Sequence, residues 1–284
     1  PALILYNHLF EKFDVLITTD KRGLDFFDKK INKFKIINTP RLNNIFLLPV
    51  NFFKILFLTF KSYFLIKGQN IEKIISTGGY MSLPLILAAK FCKLKIYLLE
   101  PNLVLGRANR FFLGSCEKIF CYSNQIKNFP NQFKDKIVLI NPLVREEFYK
   151  IKKDIIKKDQ LNLLIIGGSQ GARIFDENLK NFITNLSKKH SIKIIQQTNK
   201  KNVLNLEKFY SDKNIKNFIF SFHDNFNEII QETDLCITRA GASTLAELSI
   251  SNTPFIAVPL PTSKDNHQLE NANFYKNNDC CWVL

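Results

Sequence analysis

Near the C-terminus, residues 234–247 read DLCITRAGASTLAE, and the chain runs on through 254–261, PFIAVPLP, to Asp265, His267 and Gln268. An apolar run, a turn of small residues and a helical pattern place backbone N–H groups at a helix start, where an anion is favoured. Glu247 stands just inside that helix, where a carboxylate accepts two hydrogen bonds from a vicinal diol such as a ribose. Strand, anion turn and diol acceptor together point to a nucleotide-diphosphate site.

A second turn of this kind lies at 161–172, LNLLIIGGSQGA. Its glycines let backbone approach a phosphate closely, and Ser169 and Gln170 add side-chain donors. It is neither a Walker loop nor a G-x-G-x-x-G turn, and by itself it reads equally well as a plain strand-to-helix connection. Ser76–Tyr80, STGGY, ends another strand and resembles a further phosphate or sugar cradle, or else a tight turn. Asn102 follows a strand end. Arg145 stands where it would neutralise a phosphate, or simply be solvated. His223 and His267 follow strands of the second half and are cleft candidates, whereas His8 and His190 read as surface. No Asp-x-Asp pair occurs, so a metal-clamped diphosphate is not expected, and neither metal nor cofactor is assigned.

These residues need elements to hold them. Strands are predicted at 14–18, 35–37, 73–76, 95–99, 118–122 and 136–140, then at 162–166, 192–197, 217–220, 234–238 and 255–258, with helical pattern between. That alternation predicts parallel sheets covered on both faces. Residues 1–145 form a first domain, 146–160 a linker with a short helix, and 161–284 a second domain. Both are doubly wound α/β, with ligand at the strand carboxyl ends.

The 284 residues suffice for two domains, and 46% hydrophobic content supports real cores. Six cysteines without a C-x-x-C pair fit a reducing compartment. Of the net charge of +15, residues 1–150 carry +12, from 23 Lys/Arg against 11 Asp/Glu. Such asymmetry suits an anionic partner on the first half, or it reflects base composition. Residues 45–60, IFLLPVNFFKILFLTF, are too short to span a bilayer and are interrupted by Pro49 and Lys54. They read as a buried helix or as an amphipathic helix on an anionic bilayer surface.

Taken together, GGSQGAR at 167–173, IQQT at 195–198, Arg239 to Glu247, VPLP at 258–261 and Asp265 through His267-Gln268 to Asn271-Ala272 resemble the MurG family. So do Gly78-Gly79-Tyr80, Asn102, Gly106, Asn109-Arg110 and Asn141-Pro142 with Arg145. The resemblance spans essentially the whole chain. It implies the GT-B architecture and an inverting transfer of GlcNAc from UDP-GlcNAc to the 4-hydroxyl of lipid I, giving lipid II for peptidoglycan. It further implies a peripheral place on the cytoplasmic face of the bacterial inner membrane, anionic lipid as a partner and no nucleic acid. Carried over by motif, Ser169 and Gln170 contact the nucleotide sugar. Ala242, Ser243, Thr244, Leu245, Ala246 and Glu247 form the diphosphate turn, with Glu247 on the ribose. His267 and Gln268 meet the sugar, His223 lies by the uracil, and Asn102 and Arg145 reach in from the first domain.

The chain opens at Pro1-Ala2, whereas the family begins with a strand and a Gly-Gly-His turn bearing the favoured general base; the family also continues beyond Leu284. The expectation is an internal fragment that lacks the first strand and the C-terminal helices, folds poorly and transfers nothing alone. Leu99 and Pro101 replace the family's His and Gln around Glu100. The alternatives are a GT-B transferase for another lipid, a UDP-GlcNAc epimerase or a non-catalytic membrane-binding remnant.

Overall fold

The computed structural model describes residues 1–21, 23, 34–40, 48–153 and 159–284, with backbone alone at 48 and 168–172. The chain divides into two compact units, Pro1–Leu143 and Val144–Leu284.

In the first unit, α1 (Ala2–Leu9) precedes β1 (Ile17–Thr19) and β2 (Phe34–Ile36), which pair in parallel. Then come α2 (Leu48–Gly68), β3 (Lys73–Ser76), α3 (Leu83–Phe91), β4 (Lys95–Glu100), α4 (Arg107–Phe112), β5 (Lys118–Cys121) and β6 (Ile137–Leu139). Strands β3 to β6 form a separate parallel sheet in sequence order. Its core joins Ile74, Ile96, Leu98 and Ile119 from the strands to Ile66 of α2, Ile86 and Ala89 of α3, and Phe112 of α4.

Helix α2 differs from its sequence expectation. It runs 21 residues, to Gly68, and Pro49 lies in its first turn, where the missing N–H breaks no helical bond. Residues 45–47 of the predicted segment lie outside the described residues.

The second unit holds α5 (Glu146–Tyr149), β7 (Leu161–Ile166), α6 (Gly168–Ser187), β8 (Ile192–Gln197), α7 (Val203–Ser211), β9 (Lys216–Phe220), α8 (Phe226–Glu232), β10 (Leu235–Thr238), α9 (Ala242–Ile250), β11 (Phe255–Ala257), α10 (His267–Asn277) and β12 (Cys281–Val283). The six strands are parallel, in the order β12-β11-β10-β7-β8-β9. Numbered within the unit, this is 3-2-1-4-5-6, the dinucleotide-binding order, with its switch point between β7 and β10.

Successive residues of β7 serve opposite faces. Leu164 and Ile166 pack with Leu245 and Leu248 of α9, Phe255 and Tyr275. Leu163 and Ile165 pack with Phe175 and Ile183 of α6 and with Leu206 and Tyr210 of α7. A sheet buried on both faces accounts for the unbroken apolar run. The segment 146–160 is more than a connection: Phe148 is fully buried in the second unit's core, so α5 belongs to that unit. Residues 154–158 lie outside the described residues.

Candidate active site

Strand β7 ends at Ile166, directly opposite Thr238 at the end of β10. The amide of Arg239 extends this pairing by donating to the Ile166 carbonyl at 3.2 Å. Each strand then feeds a helix, α6 behind Gly167 and α9 behind Gly241, and neither helix start carries a side-chain cap. First-turn N–H groups have no partner within their own helix, so two sets of amide donors open on neighbouring strands about 4.8 Å apart. Such paired amide donors have the chemistry to hold an anion. Among the residues expected to form the diphosphate turn, Leu245 and Ala246 are fully buried and face the sheet. The turn therefore presents the amides of Ala242, Ser243 and Thr244. Ser169 and Gln170 lie in the first turn of α6; their side chains are outside the described residues.

Glu247, one turn further along α9, is 7% exposed. Burial pushes its carboxyl above the usual glutamate range; the Arg145 guanidinium, whose Nε donates to Oε1 at 3.1 Å, pulls it back only in part. Arg145 is stacked over Phe148 at 4.6 Å and lies 5.8 Å from the Phe226 ring. It belongs to the second unit, not the first as expected, because the buried Phe148 draws its segment there.

The three runs of the second half that begin at Arg239, Val258 and Asp265 close on one another. Arg239 Nη1 donates to the carbonyls of Val258 at 2.9 Å and Pro259 at 3.1 Å. The Leu260 amide donates to Gln268 Oε1 at 2.9 Å. Asn271, fully buried, donates to the Ala240 carbonyl at 3.2 Å. His267 Nδ1 lies 2.7 Å from the Lys264 carbonyl. Thus His267 and Gln268 stand at the end of β11, beside the α9 start on β10. His223 stands further along the same edge, after β9, against the edges of Phe218 and Phe220.

Two residues given no role from sequence are prominent. Arg239 is one. The other is Asp176 on α6, buried and accepting from Gln196 at 2.8 Å, Thr198 at 2.5 Å and Asn202 at 2.8 Å. Gln196 in turn accepts from Tyr210 at 2.9 Å. This network fixes α6, and so its N-terminal turn, against β8 and α7. The available signal was a pair of polar residues, Gln196 in an apolar strand and Thr198 just after it, both buried.

In the first unit, Glu100 ends β4 and is 2% exposed. It accepts from the Asn102 amide at 3.2 Å and side chain at 3.0 Å, the Gly106 amide at 2.8 Å and Asn109 at 2.9 Å. Asn102 is thereby held at the strand's carboxyl end. Gly78 and Gly79 both have φ of 82°, and a Cβ on Gly78 would come 3.2 Å from Asn109 Nδ2. The turn after β3 thus requires glycine.

The N-terminal domain model of glycosyltransferase family 28 matches residues 1–121, and its C-terminal domain model matches 162–284. The UDP-N-acetylglucosamine–N-acetylmuramyl-(pentapeptide) pyrophosphoryl-undecaprenol N-acetylglucosamine transferase of Pelagibacter ubique (strain HTCC1062) is 52% identical over 286 residues, covering 100% of this chain and 80% of the relative. The protein of the same name from Rickettsia felis is 33% identical over 297 residues, covering 100% and 82%. The crystal structure of Acinetobacter baumannii MurG superposes with a TM-score of 0.77 at 23% identity, covering 100% of this chain and 81% of that one, a likeness of fold. With paired helix starts at the switch point and these similarities over its whole length, the chain belongs to the MurG family of glycosyltransferase family 28.

Proposed function

We propose that this protein transfers N-acetylglucosamine from UDP-N-acetylglucosamine to the 4-hydroxyl of the N-acetylmuramyl sugar of lipid I. The observation that carries this reading is the pair of uncapped helix starts at the switch point, with the Glu247 carboxylate one turn along α9. In the displacement, the acceptor oxygen bonds to the anomeric carbon as the bond from that carbon to the diphosphate breaks. Configuration inverts, and UDP leaves with the electron pair. The hydroxyl proton passes to a base to which no residue of this chain is assigned.

The amides of Ala242 to Thr244, with those opening α6, stabilise the charge that grows on the diphosphate. Ser169 and Gln170 add contacts to the nucleotide sugar. Glu247 accepts the ribose hydroxyls, His267 and Gln268 meet the sugar, and His223 borders the uracil. Asn102 and Arg145 complete the substrate contacts.

The acceptor carries an undecaprenyl tail, and α2 supports a membrane surface as the workplace. Its inward seam is Asn51, Ile55, Thr59, Ser62 and Ile66, spaced three or four apart, and three of these five are polar. Its outer face shows Phe52, Phe53, Phe57, Phe60 and Phe64, each more than half exposed, with Lys54, Lys61 and Lys67 also exposed. Polar in and aromatic out inverts the water-facing pattern. Aromatic rings entering the acyl boundary, with lysines at headgroup level, suit a helix lying on the cytoplasmic leaflet.

Calorimetric titration of the 284-residue chain with UDP-GlcNAc, ADP and TDP tests the nucleotide site. Saturable binding of UDP-GlcNAc with neither competitor binding comparably is the expected result. Equal binding of all three, or of none, sinks the reading.

A further inference from the structure

Arg239 is 8% exposed, and among the described residues no carboxylate lies within ion-pair distance of it. Its Nε is buried without a hydrogen-bond partner, and its guanidinium stacks 5.0 Å over Phe175 of α6. A buried cation satisfied by neutral acceptors alone is costly to keep. What it holds is specific: the carbonyls of Val258 and Pro259, where β11 leaves the sheet. The next residue, Leu260, offers its N–H to Gln268. An N–H needs an acceptor, so Gln268 must turn its oxygen inward. Its NH2 group is then the end left for a ligand, and it recognises an acceptor such as a sugar hydroxyl or an amide carbonyl. Asn271 ties the same helix to the Ala240 carbonyl, beside Arg239, so both residues leaving β10 anchor the β11–α10 segment.

We infer that Arg239 is a positioning residue for sugar recognition: through the 258–260 peptide it sets the orientation of Gln268, and it contributes little to holding the nucleotide diphosphate itself. This rests on the UDP-sugar reading of the site. Both carbonyls accept from the one nitrogen Nη1, which the guanidinium plane, stacked on Phe175, holds in place; a lysine ammonium has no such plane to stack.

The test is titration of wild type, Arg239→Met, Arg239→Lys, Gln268→Ala and the Arg239→Met/Gln268→Ala double variant with UDP and with UDP-GlcNAc. The readout is the ratio of the two affinities, which a general loss of folded protein does not move. Arg239→Met is expected to hold its UDP affinity within about twofold. Its UDP-GlcNAc to UDP ratio should fall about five- to tenfold, the loss of one neutral hydrogen bond. The double variant should fall no further than Gln268→Ala, because both changes remove the same contact. Arg239→Lys, the variant that keeps a cation in place should the methionine not fold, is expected to lose only part of the ratio. An unchanged ratio in both Arg239 variants, or equal losses for UDP and UDP-GlcNAc, overturns the inference. A double variant that sums the two single losses does the same. A wild-type chain that binds neither ligand overturns the site reading along with it.

Discussion

Glu247 sits where two requirements conflict. A carboxylate accepts both hydroxyls of a ribose better than a neutral carboxyl does, yet Glu247 is 7% exposed and desolvation raises its pKa, an effect larger than the opposing pull of Arg145. A carboxyl whose folded pKa lies above its unfolded value stabilises the fold fully below the ordinary glutamate range, near pH 4.3. That contribution is lost as pH rises through the folded value. Above the folded value, the ionised Glu247 is therefore a net cost to the second unit, accepted for binding. Glu247→Gln is expected to melt at or slightly above wild type at pH 7.5, with the difference vanishing near pH 4. Its UDP affinity should fall by about 1.5–3 kcal/mol, the worth of a hydrogen bond to a charged group, or roughly 10- to 150-fold. Paired melting and titration curves check both halves. A variant that melts well below wild type at pH 7.5 would show the Arg145 pair to be a structural staple instead.

At the scale of elements, α2 offers the sharpest contrast between packing and composition. Phe57 and Phe60 are 68% and 63% exposed, so replacing both with serine leaves the core untouched and should change stability by no more than about 0.5 kcal/mol. If the face enters a bilayer, the pair contributes about 3 kcal/mol of partitioning, on the order of a hundredfold. Flotation with vesicles rich in anionic lipid is expected to show that loss, with UDP binding unaltered; equal flotation of variant and wild type discards the membrane role. The same element shows what was legible in sequence. Strands such as β7 and β8 were readable because parallel sheets buried on both faces demand continuous apolar runs. The extent of α2 was harder to read, since a proline signals a break unless the helix is known to begin there. The role of Arg239 was not readable at all, because its partners are carbonyls 19 and 20 residues away, brought near only by the parallel pairing of β10 and β11. Asp176 was hidden for a similar reason: its donors come from β8 and the segment leading into α7.

For the whole molecule, two units with separate cores imply two unfolding events. The second unit carries a single six-stranded sheet, while the described strands of the first form two ladders, β1–β2 and β3–β6. Continuous pairing makes for cooperative unfolding, so the second unit should melt sharply and the first more broadly. The residues proposed to hold the uridine and diphosphate, from Arg145 to Glu247, fall in the second unit. UDP should thus shift one calorimetric transition and leave the other in place. At a hundred times its dissociation constant, a ligand stabilises the state it binds by about 2.7 kcal/mol, roughly 10 °C for a unit of this size. Glu247→Gln should remove about half of that shift or more at the same UDP concentration, without moving the other transition. A single transition displaced as a whole would mean that the two units unfold together. A UDP-dependent shift confined to the broad transition would place the nucleotide in the first unit, against the helix starts of α6 and α9.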